Sequence, residues 1–333
     1  MIHTFTVKIQ ITSAEYRFFF EAAHTKAYRY KKKKAWRVED ISLDEHGLTL
    51  SANHYKVFGM PDYYCYELFV NPSKVMGNNS VVAVYEPDQF NQFEQQFNEL
   101  IQQYEVELPP LKAWKAHRID FTKDIRTEYV DLYIKLFQKA DLEKFKFPTD
   151  ENKNTTRYRK GSLYCRCKSY TINFYNKADK VAKYGTPEEV EQAKDILRIE
   201  VQCKKQKLNA LKTKYNLENK AIIHFLQRYD IAADVISYYA AKVLGSGDYL
   251  KKNKAITKIK ASNFQPNTKE TMINIINDVA AQYSSIDKVK ARYENLYLQQ
   301  FKSLGMNLVT IDTNTRGVPM LKSIIELISV IEE

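Results

Sequence analysis

The 333-residue sequence predicts an α+β protein in which an antiparallel-sheet core is followed by a helical domain. Three observations predict it. Short stretches alternate apolar and polar residues with the period of two that marks a strand with unlike faces. The order strand, helix, strand, strand occurs twice before residue 220, which suggests two pseudo-repeated ferredoxin- or RRM-like units. From about Leu208 onward, apolar residues recur at the helical period instead. The expected organisation is an N-terminal α+β half over 1–108, a second α+β half over 109–220 that completes the core, and a helical domain over 221–333.

The first strand is TFTVKIQI, with Phe5, Val7, Ile9 and Ile11 against Thr4, Thr6, Lys8 and Gln10. It runs into SAEYRFFFEAAH, where Ser13 is the expected N-cap of a helix. Beyond YRYKKKKAWR come a strand pair around Gly47, then YYCYELFV at 63–70 and SVVAVY at 80–85. In DQFNQFEQQFNELIQQY, residues Phe90, Phe93, Phe97, Leu100 and Ile101 fall at helical spacing and are expected in the core. ELPPLKA, around Pro109 and Pro110, reads as a connector. The second round is strand AHRIDFTKDI, helix TEYVDLYIKLFQKA, strands around 157–177 and strand ILRIEVQCKK. Amphipathic helices from AIIHFLQRYD to MLKSIIELISVI complete the chain, with turns at GSGDY and NFQPN.

Composition narrows the partners. The formal net charge is +11, which suits a polyanion such as nucleic acid. A hydrophobic fraction of 44% with only 9 Gly and 9 Pro excludes a fibrous or disordered chain. The alternating N-terminus is not a signal peptide, and no apolar run spans a membrane, so the expectation is a cytoplasmic protein with no membrane partner. Cys65, Cys165, Cys167 and Cys203 are too few for a disulfide scaffold, and the C-x-C lacks the partners of a zinc site.

Strand parity then singles out chemistry. In HRIDFT, Arg118, Asp120 and Thr122 share one face, opposite His117, Ile119 and Phe121. In LRIEVQC, Arg198, Glu200 and Gln202 share a face. In SYTINFYNK, Thr171, Asn173, Tyr175 and Lys177 oppose Tyr170, Ile172 and Phe174. If these strands are neighbours, Asp120, Glu200 and Tyr175 converge. An Asp beside a Glu suits Mg²⁺ or Mn²⁺, which takes oxygen ligands, and leaves Arg118 and Arg198 to hold phosphate oxygens. Any solvent-facing antiparallel sheet shows the same alternation, so the surroundings of Tyr175 matter. From Asn152 to Lys177 there is no acidic residue. That span holds Lys153, Arg157, Arg159, Lys160, Arg166, Lys168 and Lys177 among Tyr158, Tyr164, Tyr170 and Tyr175. Cations that neutralise phosphates, interleaved with rings that stack on bases, suit single-stranded or distorted DNA. The run Lys31, Lys32, Lys33 and Lys34 repeats the theme or is a solvated loop.

Four stretches in order, YELFVNPSKV at 66–75, HRIDFT at 117–122, SYTINFYNK at 169–177 and LRIEVQCKKQKL at 197–208, resemble the gene II–type rolling-circle replication initiators of filamentous phages and related plasmids. The resemblance covers roughly the first two thirds of the chain. It implies an HUH-like palm without the H-x-H pair, and a metal-dependent nickase and strand transferase acting at an origin in a bacterial host cell. It further implies that Tyr175 is the nucleophile that becomes linked to the 5′-phosphate. Asp120, Glu200 and Glu67 would then be the carboxylates of the Mg²⁺ or Mn²⁺ site, with Lys177 steadying the phenolate. Origin duplex and single strand are the implied DNA partners, a host helicase is a further candidate, and a dimer is compatible. The alternatives are a non-catalytic origin-binding, single-strand-binding or copy-control protein, and an interaction protein acting through its helices. An enzyme of small phosphorylated substrates would need a glycine-rich phosphate loop, which the sequence lacks.

Overall fold

A computed structural model describes residues 1–22, 25–30, 35–56, 58–78, 81, 84–140, 161–284, 286–293 and 295–329. The strands are β1 (Ile2–Gln10), β2 (Thr25–Tyr30), β3 (Ala35–Asp40), β4 (Leu48–Tyr55), β5 (Tyr63–Val70), β6 (Lys115–Arg126), β7 (Ser162–Arg166), β8 (Tyr170–Asn176) and β9 (Ile196–Lys204). Pairing is antiparallel for β1 with β5 and β6, for β2 with β3, for β4 with β3 and β5, and for β7 with β8. The α+β class and the antiparallel sheet follow from the alternation of these segments.

The chain divides into two compact units that interleave in sequence. The first comprises Met1–Thr122 and Val201–Asp234, the second Lys123–Glu200 and Val235–Glu333. Of the three crossings, two fall inside strands, within β6 and within β9, and the third falls inside the helix Tyr229–Leu244. Residues 221–234 belong with the first strands, and the helices from 235 onward belong with β7 and β8.

In the first unit the strand order is β2-β3-β4-β5-β1-β6. Thr12, rather than Ser13, caps the helix Ser13–Glu21, in a capping box closed by Glu15. The core is laid down by the apolar parity of the strands, with Phe5, Val7, Leu48, Leu50, Leu68 and Val70 all buried. The helix Phe90–Ile101 covers it with Phe90, Phe93, Phe97 and Ile101, and the Phe5 and Phe93 rings meet edge-on at 6.1 Å. Leu100, expected alongside them, is only half-buried. Strands β2 and β3 flank the lysine run, and Lys31, Lys32, Lys33 and Lys34 lie outside the described residues. Of SVVAVY only part is described; Tyr85 forms an isolated bridge to Ile2.

In the second unit the order is β6-β9-β8-β7. The first and third strands of that round, β6 and β8, are therefore separated by β9, whereas a ferredoxin-like unit has its first and third strands as neighbours. Alternation identifies a strand but carries no information about which strand lies next to it. Phe174 of β8 packs on Phe137 of the helix Val130–Lys139 at 5.1 Å, with Ile172 and Leu163 buried nearby in sequence. Helix Pro266–Ala280 contributes Met272, Ile275, Ile276 and Val279 to the interior. No helix among the described residues is long and apolar enough to cross a membrane. The four cysteines are not joined in disulfides.

Candidate active site

The second unit brings together the side chains that chemistry requires. Tyr175 stands on the β8 face shared with Thr171 and Asn173, and its hydroxyl donates to Glu200 Oε2 of β9 at 3.3 Å. Two residues before Glu200, on the same face of β9, Arg198 donates through Nε and Nη2 to the two oxygens of Asp124, each at 2.6 Å. Asp124 lies on β6, in the alternating row of Arg118, Asp120 and Thr122. The ammonium of Lys180 sits 4.7 Å from the centre of the Tyr175 ring, a cation–π contact. Tyr175 and Glu200 are thus in contact, each on the polar row that parity assigns to its strand.

Other expectations are corrected. Tyr175 was expected on an open cationic face, but it is 3% exposed. Lys177 was expected to continue the strand; the strand stops at Asn176, whose side chain accepts from the amides of Ala178 and Asp179 and caps the helix Lys177–Val181. Asparagine competes well for those amides, so the chain turns where the alternation would have continued. Lys177 is consequently buried, at 2% exposure. Arg198 was expected to be available to phosphate, but it is wholly buried and held by Asp124. Tyr170, expected to be buried, is half-buried; its ring lies 4.2 Å from that of Tyr239, and Lys242 reaches its hydroxyl at 3.4 Å.

Burial sets the proton affinities. Loss of solvent, reinforced by the Glu200 charge, pushes the Tyr175 phenol well above its usual 10.0. Burial, with repulsion from Arg198, lowers Lys177 from 10.5 to about 7. Burial opposes the charge of Arg198 too, but the hydrogen bonds and charge of Asp124 outweigh it and hold the guanidinium above its ordinary value. The arrangement therefore holds a protonated phenol against a carboxylate that can take its proton, together with an amine poised near neutrality.

The other expected ligands belong to the first unit. Glu67 of β5 is gripped by Lys8 and Arg37, each at 2.6 Å, and Arg37 also binds Glu39 at 2.6 Å. Burial works against the Glu67 charge, yet Lys8 and Arg37 prevail and lower its pKa below 4.5. Asp120 Oδ2 accepts from Thr4 Oγ1 at 2.6 Å and from Arg118 Nη2 at 2.9 Å. Arg118, expected to meet phosphate, is thus partnered by its own strand neighbour. His117 departs from its expected place. A register shift between Thr6 and Val7 interrupts the alternation at His117, and its pKa falls to about 4 through burial and the charge of Lys8.

Among the described residues no group of three or more His, Cys, Asp or Glu side chains could hold an ion. Glu67 and Asp120 are paired with protein cations, and Asp124 is committed to Arg198. Among the DNA-contact candidates, Lys168 is exposed in the β7–β8 turn and Arg166 lies on β7, while Lys153, Arg157, Arg159 and Lys160 lie outside the described residues. Asp124 is the residue that parity could have found: continuing the Arg118, Asp120, Thr122 row by one step reaches it.

No protein-family model matches the chain, and no curated protein is significantly similar to it.

Proposed function

We propose that the chain is a rolling-circle replication initiator, a nickase and strand transferase in which Tyr175 attacks an origin phosphate. The observation that carries this reading is the Tyr175–Glu200 hydrogen bond, 3.3 Å long. A phenol whose pKa is raised does not ionise by itself at neutral pH, so it needs an acceptor in contact at the moment of attack. Glu200 is that acceptor. As the Tyr175 oxygen bonds to phosphorus, its proton passes to Glu200, the bond from phosphorus to the 3′-oxygen breaks, and that oxygen leaves as a hydroxyl after taking a proton. Lys177, with a pKa of about 7, is the group suited to supply it. The 5′-phosphotyrosine retains a phosphodiester, so the reverse reaction rejoins the ends without ATP.

The resemblance implies Mg²⁺ or Mn²⁺ as well. No step above is routed through an ion. The like orders of the two rounds of strands, β1-β5-β4-β3 and β6-β9-β8-β7, support the pseudo-repeat. On this reading the protein works in the cytoplasm of a bacterial host on origin duplex and single strand.

One observation favours a second reading. Tyr175 is 3% exposed, so a scissile phosphate reaches it only after the covering chain yields. A non-catalytic origin- or single-strand-binding protein has no such requirement. Incubation with a supercoiled plasmid carrying the cognate origin and Mg²⁺ or Mn²⁺ separates the two. The nickase yields a nicked circle linked to protein, and Tyr175→Phe retains DNA binding while losing the link. Binding without cleavage under either metal would establish the second reading.

A further inference from the structure

Folding of the first unit gathers lysines from separate parts of the chain. The segment that follows the helix Lys205–Lys214 returns to the start of β6. There the Ala116 amide donates to the Lys220 carbonyl at 2.8 Å, the Ile222 amide donates to the Trp114 carbonyl at 3.0 Å, and Lys115 bridges Ala221. Lys115 and Lys220 are thereby brought together, while Lys205 and Lys212 stand two turns apart on the helix. Lys115 and Lys205 are exposed, Lys212 and Lys220 are half-buried, and none of them is in an ion pair among the described residues. Burial, then repulsion from Lys205, Lys115 and Lys212, lowers the Lys220 pKa below 10.5. The cluster also reaches His117, whose fall to about 4 comes from burial and from Lys8, Lys205 and Lys220, with Glu67 opposing. Glu67 is itself held by Lys8 and Arg37, each at 2.6 Å, and Glu218 is the only acidic residue between Val201 and Tyr229.

Lysines drawn together repel one another, and a polyanion laid across them turns that repulsion into attraction. We propose that the cluster of Lys115, Lys205, Lys212 and Lys220 binds the phosphate backbone of duplex DNA and holds it without reading its sequence. The proposal deepens the preceding reading, because it rests on the chain acting on DNA, and it gives the duplex to the first unit. Two features choose the occupant. Each cation is a lysine, a point charge that neutralises phosphates in succession without demanding one geometry. The large hydrophobic side chains exposed among the described residues all lie outside 111–122 and 201–228, so the cluster offers no exposed ring for a base and no apolar wedge for a bilayer. A duplex, with its bases turned inward and its phosphates outward, asks for neither. An acidic polypeptide carries its charges on flexible side chains, whereas a duplex presents one charge per ~1.7 Å of axis and meets several lysines at once.

The test is fluorescence anisotropy of a labelled duplex of arbitrary sequence with the full chain, across a salt series. Lys205→Gln/Lys220→Gln should reduce the slope of log affinity against log salt by ~1.8, the share of two phosphates on B-form DNA. Lys115→Gln/Lys212→Gln should give the same reduction, and Lys205→Arg/Lys220→Arg should keep the wild-type slope. Removing charges that repel one another leaves the fold intact, so the Gln variants should unfold at or above the wild-type temperature, which separates lost contact from lost structure. A wild-type slope in both Gln variants would overturn the proposal, as would a loss of binding confined to polyglutamate or to phosphatidylserine vesicles. Nicking of a supercoiled plasmid by the same proteins separates this outcome from the preceding one. A chain that nicks while its Gln variants keep the wild-type slope loses only the lysine assignment. A chain that does not nick but loses slope in those variants retains it.

Discussion

Arg198 and Asp124 form a doubly hydrogen-bonded ion pair, with both N–O distances 2.6 Å and the Arg198 side chain 0% exposed. The fork of a guanidinium matches the two oxygens of a carboxylate, which is why an arginine rather than a lysine serves here. Breaking the pair strands a charge in the interior. Asp124→Ala should therefore cost about 3–5 kcal/mol, read as a lowered urea midpoint, and replacing both partners by apolar residues of similar volume should recover most of it. If Asp124→Ala left the midpoint unchanged, the pair would not be the buried anchor described.

The buried amine of Lys177 couples stability to alkaline pH. Its pKa is 10.5 in an unfolded chain and about 7 in the folded one. Between those values the unfolded chain binds the proton that the folded chain has released, so stability rises with pH across the window. Below about 7 both states are protonated and the full cost of burying the charge persists. Lys177→Met should accordingly be more stable than wild type, most clearly near pH 6, with an advantage that shrinks toward pH 10.5. Urea titrations of the two proteins at several pH values check this, and a constant difference would contradict it.

The acid limb has a different origin. His117 falls from 6.5 to about 4 on folding, so an unfolded chain takes up a proton there that the folded chain refuses, and stability declines as pH drops from 6.5 toward 4. Glu67, held below 4.5 by Lys8 and Arg37, contributes stability above 4.5 and loses it as pH falls through its folded value. His117→Asn should delay the onset of acid destabilisation until Glu67 begins to titrate. Thermal unfolding at pH 7 and pH 5 provides the measurement: wild type should lose stability between them and the variant should lose much less.

For the proposed chemistry, Glu200→Gln keeps the shape of the acceptor while removing its basicity. Single-turnover nicking should fall by about 10²–10⁴, the range for loss of a positioned general base. Origin binding should hold. An equal loss of binding and cleavage would assign Glu200 a structural role instead.

Alternation along the chain was enough to locate β1, β5, β6, β8 and β9, to assign Tyr175 and Glu200 to the polar rows of their strands, and to place Phe93 and Phe97 in the core. Each of these depends on side chains two residues apart on a strand, or three to four apart on a helix, which is local geometry written in the sequence. Asp124 was within the same reach, one step further along its row. The remainder depended on partners distant in the chain. The capping of a helix by Asn176 turned Lys177 inward, the register shift at His117 is defined only against β1, and the pairing of Arg198 with Asp124 joins strands that periodicity cannot set side by side. Composition foretold a cationic protein, but which cations face a ligand was decided by the carboxylates that folding brought to Arg118, Arg198 and Arg37, because a buried charge keeps its ionisation only where an opposite charge is within bonding distance.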